Sequence, residues 1–239
     1  MKQFPKKARK ERKGHTTTSR TRPRLQAGTG VHSDGAARVG RKARTWRHRM
    51  RAAPGWGRAV VYTVGHSTRP LRELERMLES VGVRTLADIR TLPRSRTNPQ
   101  FNASRLARAM PKRGVAYKHV AKLGGLRYAK RGQSQSSAWR NAGFRGYAAY
   151  MRTKPFRDGL DELKRLTIRG PVAAMCAEGN VWRCHRNLLA DALLVRGADV
   201  RELTAPGKWR QHALIPFAHV EGRQVTYPST SANVKKPKV

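Results

Sequence analysis

The apolar positions of this chain change period several times, and each change marks an element. Residues 59–64 form a short β-branched run closed by Gly65, which predicts a buried strand. Leu71, Leu74, Leu78 and Val81 then recur at helical spacing. Pro70 suits the first helical turn, Glu73 and Glu75 favour its positive end, and Gly82 stops it. Residues 85–90 read as a second strand, so these elements form a βαβ unit whose strands run parallel.

The alternation continues. Asn102 is placed to cap a helix bearing Leu106 and Met110, and residues 115–120 predict a third strand. Residues 121–143 are rich in Gly, Ser and Gln with little period, and a loop of that length inside a domain is usually functional or mobile. Helices follow over 144–151 and 156–166, a strand over 172–176, a helix over 185–196 and a last strand over 200–203. The pattern predicts one doubly wound α/β domain over residues 59–204, with a mainly parallel five-stranded sheet. Residues 205–239 return to Pro, Lys and Ser and read as a loose basic tail, with one short segment around 213–218 packed on the domain.

Charge changes the picture at the other end. The chain has 239 residues and a formal charge of +38. Residues 1–58 show no period and hold 18 Lys plus Arg against two acidic residues. They read as a solvated disordered arm or as an arm that binds nucleic acid by releasing counterions from phosphates. A transit peptide is a third reading, though a clear amphipathic stripe is missing. Met50 offers a fourth, since a start there would leave the arm untranslated.

Several classes are excluded. No apolar run approaches the roughly 18 residues of a membrane-spanning helix, so no membrane role is expected. The charged N-terminus lacks the apolar core of a secretory signal. Two cysteines, Cys176 and Cys184, are too few for a disulfide scaffold and suit a reducing compartment, so a cytoplasmic protein is expected.

Ligands of open parallel sheets bind beyond the carboxyl ends of the strands. The polar residues of this chain collect there: His66 and Ser67 after strand one, Asp88 and Arg90 at strand two, His119 at strand three, Cys176 and Glu178 at strand four. Together they outline one pocket. The segment from Cys176 to Arg186 joins a strand to an apolar helix, so Arg183, His185 and Arg186 stand near a helix N-terminus, where backbone N–H groups and Arg forks favour a phosphate or carboxylate. Arg94, Arg96 and Asn98, in a basic loop ending at Phe101, suit phosphate contacts with base stacking.

Three chemistries compete for this pocket. Cys176 can act as a thiolate nucleophile activated by Arg183, as in cysteine phosphatases and sulfurtransferases, although six residues separate the two, one more than the phosphatase loop has. Cys176, Cys184 and His185 with Glu178 or His66 can bind zinc, which adjacent Cys and His disfavour, so neither a metal nor another cofactor is expected. Without a covalent step, Glu178 or Asp88 serves as general acid or base on a nucleotide or nucleic acid held by Arg90, Arg183 and Arg186. The plain alternatives are an Asp88–Arg90 ion pair that orders a strand end, a structural His66, a core Cys176 and solvated arginines. The rival to an enzyme is a noncatalytic nucleic-acid-binding module.

The runs Tyr62–Ser67, Asp88–Arg90, Pro93–Phe101, Leu123–Gly125, Phe144–Tyr147, Cys176–Glu178 and Arg183–Arg186 together resemble the bacterial and archaeal domain of unknown function 488 family, over about residues 60–204. The resemblance implies a Rossmann-like α/β domain in a cytoplasmic protein. It puts the family's motifs on His66, Ser67, Asp88, Arg90, Arg94, Arg96, Asn98, Cys176, Glu178, Arg183, His185 and Arg186. It implies no particular activity.

Overall fold

The computed structural model describes residues 56–57, 59–127 and 137–229. The expected basic arm, Met50 and the terminal lysines lie outside the described residues, apart from Trp56 and Gly57.

Six runs pair into one sheet: β1 (Val60–Gly65), β2 (Thr85–Asp88), β3 (Ala116–His119), β4 (Val172–Cys176), β5 (Asp199–Ala205) and β6 (Lys208–Gln211), ordered β3-β2-β4-β1-β5-β6. The first five strands pair in parallel and β6 is antiparallel to β5. The helices are α1 (Leu71–Glu79), α2 (Ala103–Ala109), α3 (Ala142–Tyr150), α4 (Lys154–Leu166) and α5 (His185–Leu194).

Alternation along the strands sends successive side chains to opposite faces. Tyr62, Val64, Leu86, Ala173 and Met175 pack with Leu74, Met77 and Leu78 of α1 and Leu106 of α2. Val61, Ala87, Val172, Ala174, Cys176 and Val200 pack with Tyr147 of α3, Phe156 and Leu160 of α4 and Leu188, Leu189 and Leu193 of α5. The sheet is thus covered by helices on both faces, and each large side chain fully buried there contributes about 1.5–3 kcal/mol. No helix among the described residues is long and apolar enough to cross a membrane.

Local details differ from expectation where side chains find other partners. Asn102 stands at the start of α2, but its Oδ1 accepts from Ser95 N (2.7 Å) instead of capping the helix. Asn141 caps α3, accepting from Gly143 N and Phe144 N (2.8 and 3.3 Å).

The expected five-stranded sheet is corrected to six. All four residues of β6 are exposed, so the strand leaves no apolar pattern, and its pairing is a matter of backbone hydrogen bonds. The expected tail also carries an antiparallel hairpin, β7 (His219–Glu221) with β8 (Gln224–Thr226). Ile215, in the short segment expected to pack on the domain, is buried, as are Val225 and Tyr227, which the sequence reading left in the tail. Asp191 of α5, itself fully buried, secures this segment by accepting from His212 Nε2 (2.7 Å), Tyr227 OH (2.9 Å) and Ile215 N (3.3 Å).

Candidate functional site

Strands β2, β4 and β1 are adjacent, with Asp88 paired to Met175 and Gly65 to Cys176. Their carboxyl ends therefore meet, as expected. The two-residue period sends the Asp88 and Cys176 side chains to opposite faces of the sheet, where each gathers its own cluster.

On the α1/α2 face, Asp88 is fully buried and both its oxygens are saturated. Oδ1 accepts from Arg90 N (3.1 Å) and Nε (2.8 Å), and Oδ2 accepts from Arg90 Nη2 (2.5 Å) and Tyr117 OH (2.9 Å). Arg90, 6% exposed, also donates through Nη2 to the Phe101 carbonyl (2.7 Å), which ties the basic loop to the sheet. Its Nη1 lies 3.3 Å from His66 Nε2. An arginine only donates, so His66 Nε2 accepts and its Nδ1–H donates to the Ser67 carbonyl (2.8 Å). Burial, and then Arg90, keep the His66 pKa below the usual histidine value against the Ser67 bond, so the ring is neutral. It stacks on Phe101 at 4.2 Å. Burial first, then the Asp88 carboxylate, raises the Tyr117 phenol, so it stays a donor. His119 Nε2 donates to the Arg90 carbonyl (2.8 Å).

On the α3–α5 face, Cys176 is 1% exposed and Cys184 is 2% exposed, with their sulfurs 2.8 Å apart. Arg186 Nη1 donates to Cys176 Sγ (2.8 Å) and to the Glu178 carbonyl, and Nη2 donates to the Gly179 carbonyl (2.7 Å). Cys184 is the cap of α5: its Sγ accepts weakly from Arg186 N (3.5 Å). Burial pushes the Cys176 thiol up, but the bond from Cys184, the Arg186 charge and the Arg186 bond together outweigh it and leave it at about 7. Burial and then the hydrogen bond to Cys176 drive Cys184 the other way. Cys176 is thus the more acidic thiol of the pair.

His185 packs edge-on against Tyr147 (5.1 Å). Its buried Nε2 makes no hydrogen bond of normal geometry, although the Ile89 backbone is close enough to raise its pKa. Burial outweighs that contribution and takes the pKa down to about 4.

Two glycines permit this arrangement. A Cβ at Gly65 would overlap the Glu178 carbonyl and lie 2.8 Å from Arg186 Nη1, and one at Gly125 would overlap the His185 ring. Ser67 stands beside Gly65 with φ of 50°, a left-handed conformation uncommon outside glycine that tends to gather at functional sites. A Cβ on Gly179 would lie 3.1 Å from Ser67 Oγ, so the turn after β4 also rests against the turn after β1. The backbone links the two faces: His66 N donates to the Cys176 carbonyl and Ser67 N to the Ala177 carbonyl, both at 2.9 Å.

The remaining candidates line the outside. Glu178 is exposed and brings only its carbonyl inward. Arg94, Arg96 and Arg183 are exposed and Asn98 is half-buried. Among the described residues no group of three or more His, Cys, Asp or Glu side chains is placed to hold a metal ion. The sequence reading missed Tyr117 and gave Cys184 only a part in zinc binding. Tyr117 stands two residues before His119 on a strand paired with β2, a same-face signal that was legible.

Residues 70–193 match the domain of unknown function DUF488. The chain belongs to the DUF488 family. The match runs from the residue before α1 to the penultimate residue of α5, so it includes Asp88, Arg90, Cys176, Cys184 and Arg186, while His66 and Ser67 precede it. No curated protein and no solved structure matches the chain.

Proposed function

We propose that this DUF488 protein is an enzyme whose nucleophile is the Cys176 thiolate, acting on a phosphate-bearing substrate, with nucleotides and nucleic acids the leading class. The observation that carries this reading is Cys176 at the carboxyl end of a central strand, 2.8 Å from Arg186 in the first turn of α5. A thiolate beside a guanidinium near a helix N-terminus is the arrangement that activates cysteine nucleophiles. The fold belongs with the doubly wound, Rossmann-like architectures, which bind ligands beyond the strand ends. A cytoplasmic setting would keep the thiols reduced.

The anion pocket takes a different form from that expected. Arg90 and Arg186 are engaged inside the protein, so the exposed Arg94, Arg96 and Arg183 are the cations open to phosphate. The Glu178–Asn180 turn covers the thiol, and substrate reaches Cys176 when this turn lifts from Arg186. Glu178 is then the carboxylate available for proton transfer, with Asp88 and His66 in supporting positions.

The test is turnover of nucleotides and labelled oligonucleotides by the full chain, Cys176→Ser and Glu178→Gln. Loss of activity in both variants with oligonucleotide binding retained supports the reading. Unchanged turnover in Cys176→Ser overturns it. The second reading, a noncatalytic nucleic-acid-binding module, draws on the saturated Asp88–Arg90 pair, and oligonucleotide binding without turnover by the unaltered chain would establish it.

A further inference from the structure

The nucleophile reading leaves Cys184 with no task beyond holding a proton. Its sulfur nevertheless lies 2.8 Å from that of Cys176, close enough that a disulfide of about 2.05 Å needs a closing movement of less than about 1 Å between the sulfurs. The two cysteines are joined by a short turn, and Cys184 begins the helix that carries Arg186. Both sulfurs are shielded from other protein thiols, since neither residue is more than 2% exposed. Glu178, Gly179 and Asn180 above them are exposed, and a small oxidant approaches from that side when the turn lifts from Arg186.

From this geometry we propose that Cys176 and Cys184 form a reversible intramolecular disulfide on reaction with hydrogen peroxide, a redox site that switches off the Cys176 nucleophile. Cys176 thiolate attacks one peroxide oxygen; the S–O bond forms, the O–O bond breaks, and the departing oxygen leaves as water after taking a proton. The product is Cys176 sulfenic acid. Cys184 then loses its proton and its sulfur attacks Cys176 Sγ, displacing hydroxide, which leaves as water with that proton. Two thiols are oxidised and one peroxide is reduced to two waters. Arg186 Nη1 already donates to Cys176 Sγ and is placed to donate to the leaving oxygen. The proposal rests on the reading above only in taking Cys176 as the attacking sulfur.

The experiment is titration of the reduced full chain with hydrogen peroxide at neutral pH, followed by intact mass and a non-reducing peptide map. The expected result is a loss of about 2 Da, the two thiol hydrogens, with the peptides of Cys176 and Cys184 joined. Alkylation of Cys176 by iodoacetamide falls by on the order of tenfold or more and returns with dithiothreitol. In Cys184→Ser the sulfenic acid persists and is captured by dimedone. Sulfinic acid on Cys176 without a cross-link, dimers joined between chains, or no oxidation at all would overturn the disulfide. Turnover that survives in Cys176→Ser removes the nucleophile reading and leaves the mass result standing. Alkylation of Cys176 in a chain that never forms the link removes the disulfide alone.

Discussion

The two faces of the sheet's carboxyl edge carry polar clusters of opposite character. Around Asp88 every carboxylate oxygen is occupied, by three donors of Arg90 and one of Tyr117, and the charge is balanced within the cluster. Around Cys176 the acceptor is a polarisable sulfur, which takes a hydrogen bond from Arg186 and lies against a second thiol. In the first arrangement both carboxylate oxygens already accept two hydrogen bonds, whereas in the second, against burial, Cys184 and Arg186 lower the Cys176 thiol below its usual value. The sequence reading named both Asp88 and Cys176 as catalytic candidates. Burial with saturation suits a scaffold, and the proposed function takes the buried, acidified thiol as the site of chemistry.

The largest expected effect breaks the scaffold. Asp88→Asn leaves the Arg90 guanidinium buried without its counterion and should cost about 3–5 kcal/mol in urea denaturation. A cost under about 1 kcal/mol would return Asp88 to the catalytic candidates.

Acid should act next, and on both faces. His66 and His185 are held neutral in the fold, with pKa values below that of an unfolded histidine, so the unfolded chain takes up protons first as pH falls. Stability should therefore be complete above about pH 6.5 and decline as pH drops towards about 4, where His185 protonates in the fold, with a loss on the order of 1–3 kcal/mol. Denaturation midpoints across that range check the sign, and His185→Gln should flatten the curve.

The thiol face is sharpened by its pH profile. Alkylation of Cys176 requires the thiolate, so its rate should fall as pH drops through about 7. Arg186→Leu removes the charge and the hydrogen bond and should move that midpoint upward towards the ordinary thiol range. Far-ultraviolet circular dichroism on the same sample separates this from unfolding, and an unmoved midpoint in a folded variant would show that Arg186 does not activate the thiol.

The smallest effect on stability is expected outside both clusters. Replacing Arg94, Arg96 and Arg183 by Gln should change stability by about 0.5 kcal/mol or less per site. Oligonucleotide binding should nonetheless weaken, with the salt slope reduced by about 0.9 for each duplex phosphate that is no longer neutralised. An unchanged slope would remove these arginines from the binding surface.

Much of this was legible beforehand. The apolar runs at 60–65 and 172–176 and the Leu stripes of α1 and α4 are consequences of period and burial, which act locally and leave a pattern. Even the division between faces was within reach, because Asp88 and Arg90 share one parity while the Ala87 and Ile89 positions share the other. What period cannot show is which strands become neighbours. The order β3-β2-β4-β1-β5-β6 brings Gly65 beside Cys176, and only then does the absence of a Cβ at Gly65 explain how Glu178 and Arg186 fit.

The sequence by itself determined an α/β sheet with its ionisable residues at the strand ends, because apolar period and chain direction are carried by each segment alone. Tertiary structure decided that β6 pairs without any apolar signal, that Asp191 binds a segment read as tail, and that Arg90 and Arg186 face inward. It also decided that the sulfurs of Cys176 and Cys184 touch. Each of these depends on which distant groups compete for the same donors and the same space, and that competition is set only when the elements pack together.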